Sequence, residues 1–194
     1  MLPFAAAEGK TVRLMALGDS LTAGYGVAAE DAFPAQLERR LRAAGLEVTV
    51  VNAGVSGDTT QGGLARLDWA LADKPDLALV ALGANDALRG LDPKLAFANL
   101  DRILSRLGER GVGVLLVGMK APRNLGEDYV SAFDGIYPKL AAAHKVPLYP
   151  FMLDGVALDP ALNQADGMHP NAKGVAVLVE RMLPSVRRLI ETAD

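Results

Sequence analysis

Three side chains in the sequence have the types that nucleophilic catalysis at a carbonyl carbon requires. A serine attacks efficiently only when a base takes its proton and a third group orients that base. Ser20 lies in a Gly-Asp-Ser-Leu sequence, where a tight turn could expose its hydroxyl. Asp166 and His169 lie three residues apart in the sequence Asp-Gly-Met-His. These residues predict a nucleophile, a base and a carboxylate that fixes the base.

The choice of the base follows from the surroundings of the chain's two histidines. His144 lies near the end of a predicted helix, where a histidine commonly interacts with the helix dipole. Pro170 follows His169, and the residue before a proline is usually extended, while proline itself favours the first position of a helix. We therefore expect a final helix that begins at Pro170, with His169 just outside it and free to act as the base.

Two further segments carry groups that could stabilise a developing oxyanion. The amide of Gly57 can approach a substrate closely because glycine has no β-carbon, and the side chain of Asn85 offers N–H donors. Together with the amide of Ser20 they are predicted to form an oxyanion hole. Taken singly, Gly57 is equally typical of a plain turn, and Asn85 of a turn that closes on Asp86.

The pattern of apolar residues predicts the elements that must position these groups. Short apolar runs cover residues 11–17, 47–51, 77–82, 112–118 and 146–149. They alternate with helical patterns at residues 33–44, 60–72, 93–110, 129–144 and 170–190. This alternation is typical of a parallel sheet with helices on both faces. We predict an α/β fold over residues 11–194: a single-domain, three-layer α/β/α sandwich with a five-stranded parallel sheet.

The first three strands of this sheet are each followed by one of the candidate segments. Ser20, Gly57 and Asn85 come directly after the first, second and third strand. Ligand sites of open parallel sheets lie beyond the carboxyl ends of the strands. The candidate residues should therefore gather at one edge of the sheet.

Composition argues against several classes of partner. The formal net charge is −3, and the charged residues are spread along the chain, so we expect no nucleic-acid partner. Without cysteine and with two histidines, the chain lacks the usual soft-metal ligand sets, and we expect no metal and no cofactor. No apolar run approaches the roughly 18 residues of a membrane span, so we expect no integral membrane segment. A small-molecule substrate is the predicted partner, and the oligomeric state is left undetermined.

Residues 1–10 contain a sequence that resembles the end of a signal peptide. Leu-Pro-Phe-Ala-Ala-Ala, at residues 2–7, ends in the Ala-x-Ala pattern of a cleavage site. As a signal-peptide remnant it predicts a periplasmic or secreted protein. As an ordinary flexible N-terminus it leaves a cytoplasmic location open.

In chain order, the motifs around Ser20, Gly57, Asn85 and His169 resemble the four sequence blocks of the SGNH hydrolases. Residues 23–26, 88–90 and 119–122 are most similar to those of small bacterial arylesterases and of the multifunctional acyl thioesterase/lysophospholipase group. The resemblance implies a flavodoxin-like sheet. It also implies a serine esterase that hydrolyses small acyl or aryl esters, thioesters or lysophospholipids through an acyl-enzyme on Ser20, without a cofactor.

The resemblance further implies a shallow substrate pocket bordered by residues 119–129. The candidate pocket residues are Asp19, Leu21, Met119, Pro122 and Met168. Ala87, where relatives often have glycine, and Arg123, where a second proline is common, depart from the family pattern. These departures leave the preferred length of the acyl chain open.

Three alternative interpretations remain at this stage. Ser56 is a second candidate nucleophile, although its flanking glycines narrowly miss the Gly-x-Ser-x-Gly pattern. An SGNH carbohydrate O-deacetylase would use the same residues, but one Trp and four Tyr offer few rings to stack on sugars. A non-catalytic flavodoxin-like binding module would use the glycines of residues 24–29, which begin several residues after the strand and lack a well-placed acidic partner.

Overall fold

The structure, a computed structural model, describes residues 11–193, and its strands form one parallel sheet. The strands are β1 (Val12–Gly18), β2 (Val48–Gly54), β3 (Leu77–Ala81), β4 (Gly113–Val117) and β5 (Leu148–Tyr149). Their order in the sheet is β2-β1-β3-β4-β5. The predicted five-stranded parallel sheet is confirmed, whereas the predicted signal-peptide remnant lies outside the described residues.

Helices cover both faces of this sheet. They are α1 (Ser20–Ala23), α2 (Phe33–Ala43), α3 (Thr60–Ala65), α4 (Leu67–Ala70), α5 (Ala84–Leu88), α6 (Pro93–Glu109), α7 (Glu127–Asp134), α8 (Ile136–His144) and α9 (Ala172–Glu191). Helices α2 and α9 pack against each other and the sheet, and α6 packs against α3, α8 and the sheet. The predicted α/β/α layering is confirmed. Within residues 11–193, no helix is long and apolar enough to cross a membrane.

The register of β1 with its two neighbours, β2 and β3, brings the candidate segments to one level. Gly18, at the end of β1, pairs with Gly54 of β2 and with Ala81 of β3. A β-carbon on Gly54 would lie 2.3 Å from the backbone nitrogen of Ala23, so glycine is needed for β2 to approach the turn after β1. The loops that carry Ser20, Gly57 and Asn85 therefore emerge side by side.

Two of the predicted helices are each divided in the structure. The predicted helix at residues 60–72 is divided into α3, α4 and a short 3₁₀ turn. The predicted helix at residues 129–144 is divided at Gly135 into α7 and α8. Glycine and short turns interrupt a helix without disturbing the apolar pattern that sequence reading detects.

The final helix begins at Ala172, so the prediction that it begins at Pro170 is wrong by two residues. The side chain of Asn171 accepts hydrogen bonds from the amides of Lys173 and Gly174, which makes Asn171 the N-cap. Pro170 instead forms an isolated antiparallel bridge with Asn163. His169 still precedes the helix, as expected.

Candidate active site

Ser20 lies at the first position of the short helix α1, directly beyond β1. The carboxylate of Asp19 accepts a hydrogen bond from the amide of Leu21 at 3.0 Å and caps this helix. The helix ends after one turn at Gly24, whose φ of 87° lies in the left-handed region that favours glycine. This compact turn fixes the Ser20 hydroxyl at the carboxyl edge of the sheet.

His169 connects Ser20 with Asp166 through hydrogen bonds at both ring nitrogens. Its Nε2 lies 2.9 Å from the Oγ of Ser20, and its Nδ1 lies 2.6 Å from the Oδ2 of Asp166. Because an ionised carboxylate can only accept, Nδ1 must carry the proton in the neutral ring. Nε2 is then free to accept the proton of the Ser20 hydroxyl.

Asp166 is held by its own loop as well as by the imidazole. Its Oδ1 accepts hydrogen bonds from the amides of Met168 at 2.9 Å and His169 at 3.0 Å. The backbone hydrogen bond from His169, then the ring hydrogen bond and the amide of Met168, lower the pKa of Asp166 from 3.8 to about 2. The carboxylate therefore stays ionised near neutral pH and can stabilise a positively charged imidazole.

The two backbone amides predicted for the oxyanion hole are those of Ser20 and Gly57. Among residues 11–193, neither the amide of Ser20 nor that of Gly57 donates a hydrogen bond to a protein atom. Gly57 has a φ of 79°, so a side chain there would be strained. The Gly57 amide thus lies in a turn whose backbone conformation favours glycine.

The side-chain amide of Asn85 makes one short hydrogen bond and one long contact. Its Nδ2 donates to the backbone carbonyl of Asp58 at 2.8 Å. A second contact, to Oδ2 of Asp19, is 3.4 Å long, beyond the range of a good N–H···O hydrogen bond. The Asp58 carbonyl therefore fixes the amide plane of Asn85, and the long contact with Asp19 leaves the second N–H only weakly bonded.

Asp19 lies beneath this site and is only 1% exposed. Burial raises its pKa from 3.8 to about 6, while the hydrogen bond from Leu21 and the charge of His169 oppose the shift. Asp19 was predicted to line the substrate pocket, but its role as N-cap turns its carboxylate into the protein. Asp19 therefore contacts the turn that carries Ser20 from the protein interior.

A cavity of about 440 Å³ with a mostly apolar surface adjoins the site. Its lining begins next to Asn85 and His169, because it includes Ala84 and Met168. The complete lining is Ala84, Leu88, Lys120, Ala121, Pro122, Arg123, Phe151, Leu153, Ala157, Leu158, Gly167 and Met168. Among these are two of the predicted pocket residues, Pro122 and Met168.

The other three predicted pocket residues, Asp19, Leu21 and Met119, do not line this cavity. Met119 lies two residues after the end of β4. Its side chain is 3% exposed and belongs to the hydrophobic core. Leu21 is partly buried and packs against the same core from α1. Sequence reading located the segments near the cavity but not the direction of each side chain.

Two residues that support His169 were not among the predicted site residues. The ring of Tyr25 lies against the imidazole, with 4.7 Å between the ring centroids. The Nε2 of Gln164 donates to the carbonyls of Tyr25 at 2.7 Å and Pro170 at 2.9 Å, which ties the serine and histidine loops together. Tyr25 stood in one of the segments that carry the family resemblance, whereas nothing in the sequence marks Gln164.

The competing candidates lie outside this arrangement. The Nε2 of His144 is 2.7 Å from Asp101, at the end of α8. Ser56 lies exposed in the loop before Gly57 and forms no hydrogen bond with His169. In the region from residue 11 to residue 193, no cluster of three or more histidine or carboxylate side chains could hold a metal ion.

A nucleophile, base and carboxylate in hydrogen-bonded order, at the carboxyl edge of a parallel α/β sheet, define a serine hydrolase. The profile of the GDSL-like lipase/acylhydrolase family matches residues 16–177, and the chain belongs to this family. The resemblance that the four sequence motifs indicate is thereby confirmed.

Relatives of known activity match nearly the whole chain. An arylesterase of Vibrio mimicus is 42% identical over 176 residues, which are 90% of this chain and 88% of the relative. Thioesterase 1/protease 1/lysophospholipase L1 of Escherichia coli K12 is 41% identical over 191 residues, 98% of this chain and 89% of the relative. The crystal structure of AlinE4, an SGNH-hydrolase family esterase, superposes with a TM-score of 0.79 at 48% identity, covering 93% of this chain and 97% of that chain.

Proposed function

We propose that the chain is a serine esterase that hydrolyses small acyl or aryl esters through an acyl-enzyme on Ser20. The observation that carries this proposal is the continuous hydrogen-bonded connection from Ser20 through His169 to Asp166. It supplies the nucleophile, its base and the group that orients the base. Membership of the GDSL-like lipase/acylhydrolase family supports the same reaction class.

In the proposed reaction, the Oγ of Ser20 attacks the carbonyl carbon while Nε2 of His169 takes the hydroxyl proton. The tetrahedral intermediate then collapses, and His169 returns the proton to the departing alcohol or thiol. His169 then takes a proton from a water molecule that attacks the acyl-enzyme, and returns it to the Oγ of Ser20 as the carboxylic acid is released. Asp166 keeps the ring oriented and stabilises its positive charge in both steps.

The amides of Ser20 and Gly57 and the side chain of Asn85 are the proposed donors to the oxyanion. Preorganised donors of this kind stabilise the charge that forms on the carbonyl oxygen in the transition state. The proposal is supported by the two amides that lack a protein acceptor and by the weakly engaged N–H of Asn85. It needs no metal or cofactor.

The apolar cavity is the proposed site for the acyl chain. Phe151, Leu153 and Leu158 offer it apolar surface, while Lys120 and Arg123 contribute cationic groups. This lining favours an acyl chain over an acetylated sugar, because sugar recognition relies on polar groups and aromatic rings. It is also compatible with an acyl-CoA thioester or a lysophospholipid, because their phosphate groups carry negative charge.

Two serine variants test the nucleophile. We expect Ser20→Ala to abolish hydrolysis of an aryl acetate and covalent labelling by an alkyl phosphonate. Ser56 lies in an exposed loop, and Ser56→Ala should retain both the hydrolysis and the labelling. Full activity in Ser20→Ala would refute the proposal.

A substrate panel then separates the esterase from the carbohydrate deacetylase. Aryl acetate, longer aryl esters, an acyl-CoA, a lysophospholipid and acetyl-xylan would be compared with one enzyme preparation. Higher kcat/KM for aryl or acyl esters than for acetyl-xylan is expected. The reverse order would favour the O-deacetylase.

We further propose that the protein acts in the periplasm or outside the cell. The Ala-x-Ala pattern of residues 5–7 is the support. Expression from the native gene in its own host, followed by cell fractionation, tests this location. Recovery of the enzyme in the cytoplasmic fraction alone would contradict it.

A further inference from the structure

Arg66 is an arginine at the junction of α3 and α4 that sequence reading did not select. Its guanidinium makes three contacts: Nε with Oδ2 of Asp58 at 2.6 Å, Nη1 with the carbonyl of Ala53 at 2.8 Å, and Nη2 with the carbonyl of Gly18 at 2.9 Å. The side chains of Arg66 and Asp58 are only 17% and 11% exposed. One largely buried cation thus joins the ends of β1 and β2 to the loop after β2.

These contacts surround the loop that carries Gly57. The carbonyl of Gly18 also accepts the amide of Val55 at 3.0 Å, and the carbonyl of Val55 accepts the amide of Asp58 at 3.1 Å. Arg66 therefore contacts the Gly18 carbonyl, which accepts the first hydrogen bond of this turn, and the side chain of Asp58 at its end. The Gly57 amide lies between those two points.

The same contacts extend to the serine and the asparagine of the site. Gly18 lies two residues before Ser20, and the carbonyl of Asp58 accepts the side-chain amide of Asn85 at 2.8 Å. All three proposed oxyanion donors are thus joined to residues that Arg66 holds. A β-carbon on Gly62 would lie 1.7 Å from Oδ1 of Asp58, so glycine at this position allows the carboxylate to lie against α3.

We propose that Arg66 is a positioning residue that holds the three oxyanion donors in their relative places. The inference rests on the proposed esterase function and assigns Arg66 no contact with the substrate. A guanidinium suits the task because its planar group offers five N–H donors in fixed directions. Here its three nitrogens each donate to a different residue. A lysine ammonium cannot reproduce these directions.

Arg66→Lys tests the proposal, and Arg110→Lys, in an exposed ion pair with Asp68, is the matched control. Active sites would be counted by exhaustive phosphonate labelling, so that turnover is expressed per competent site. We expect kcat per site to fall on the order of 10²-fold in Arg66→Lys, as for a misplaced catalytic group, with KM changed much less. Arg110→Lys should match the wild type.

A purely structural role would lower the number of competent sites and leave turnover per site unchanged. That result in Arg66→Lys would overturn the proposal. In Arg66→Ala, added guanidinium ion should restore part of the lost turnover, whereas ammonium ion should not. Equal rescue by both ions would also count against it.

Hydrogen exchange separates this inference from the esterase proposal. The amides of Val55 and Asp58 are hydrogen-bonded within the turn, so exchange in residues 54–59 should become faster in Arg66→Lys. A wild-type chain without esterase activity would refute the esterase proposal, and exchange would still report on Arg66. Unchanged exchange in Arg66→Lys would overturn the positioning role.

Discussion

The Nε2 atom of His169 lies 2.9 Å from the Oγ atom of Ser20, although 149 positions separate the two residues in the chain. Ser20 is held by a one-turn helix directly beyond β1, and His169 by the loop before α9. Their contact depends on the sheet, which brings both loops to one edge.

Replacing Asn85 should impair the transition state more than substrate binding. Loss of one oxyanion donor commonly costs about 2.7 to 4 kcal/mol in the barrier, so turnover of Asn85→Ala should fall on the order of 10² to 10³-fold. Asn99→Ala is the control of the same residue type, because the side chain of Asn99 donates to Thr60 and not to the Asp58 carbonyl. Unchanged steady-state turnover in Asn85→Ala would remove Asn85 from the proposed oxyanion hole.

Asp166→Asn should impair the base while preserving much of the loop. The new side-chain oxygen can still accept from the amides of Met168 and His169, but the amide nitrogen would face Nδ1 and favour the wrong tautomer of the ring. We expect kcat to fall by up to about 10⁴-fold, as in other serine hydrolases. Similar kcat values for Asp166→Asn and the wild type, measured with an aryl acetate, would contradict this role.

The low pKa of Asp166 also bears on the pH profile. Because the pKa of this carboxyl lies at about 2, it remains ionised as the pH falls from 7 to 4. Loss of activity in that interval should therefore not arise from protonation of Asp166.

Asp19 should make the stability of the protein depend on pH. Its pKa is raised from 3.8 to about 6, so the folded state holds a proton that the unfolded chain has already released between these values. Stability from this group is therefore fully present below pH 3.8 and is lost as the pH rises through 6, a change of about 3 kcal/mol. Asp19→Asn does not titrate and should lack this change.

The measurement is the free energy of unfolding in urea for both proteins between pH 4 and pH 7. The stability of Asp19→Asn relative to the wild type should increase as the pH rises. Any constant difference between the two proteins is irrelevant, because only its variation with pH reports the titration. A difference that stays flat across this interval would exclude a raised pKa at Asp19.

Leu158 lines the cavity, and it is both exposed and strained in its backbone. It is 90% exposed and has a φ of 67°, which is unfavourable for leucine by about 1 to 2 kcal/mol. Asparagine tolerates this conformation, so Leu158→Asn should raise the melting temperature while weakening the apolar surface of the cavity. KM should rise for an octanoyl aryl ester and change little for the acetate.

Leu95→Asn is the control for this variant. Leu95 is 60% exposed but does not line the cavity and has no positive φ. It should leave the KM for both esters unchanged. Equal effects of Leu158→Asn on acetate and octanoate would contradict a place for the acyl chain beside Leu158.

The sequence was sufficient for the layered fold and for the chemical identity of the central groups. Apolar runs alternating with amphipathic helices predict a covered parallel sheet, because a strand buried on both faces must be apolar throughout. The four motifs also follow predicted strands or precede a predicted helix, and the carboxyl edge is the place where such loops meet. Ser20, His169 and Asp166 could therefore be selected without coordinates.

The tertiary structure decided which side chains face the cavity and which groups hold the site together. Met119 and Asp19 lie in the predicted segments but point into the protein, because side-chain direction depends on the local backbone and on capping. Arg66 acts on residues up to 48 positions away, and no local pattern records such long-range hydrogen bonds. A sequence specifies which groups are present, whereas their directions and distant partners exist only once the chain has packed.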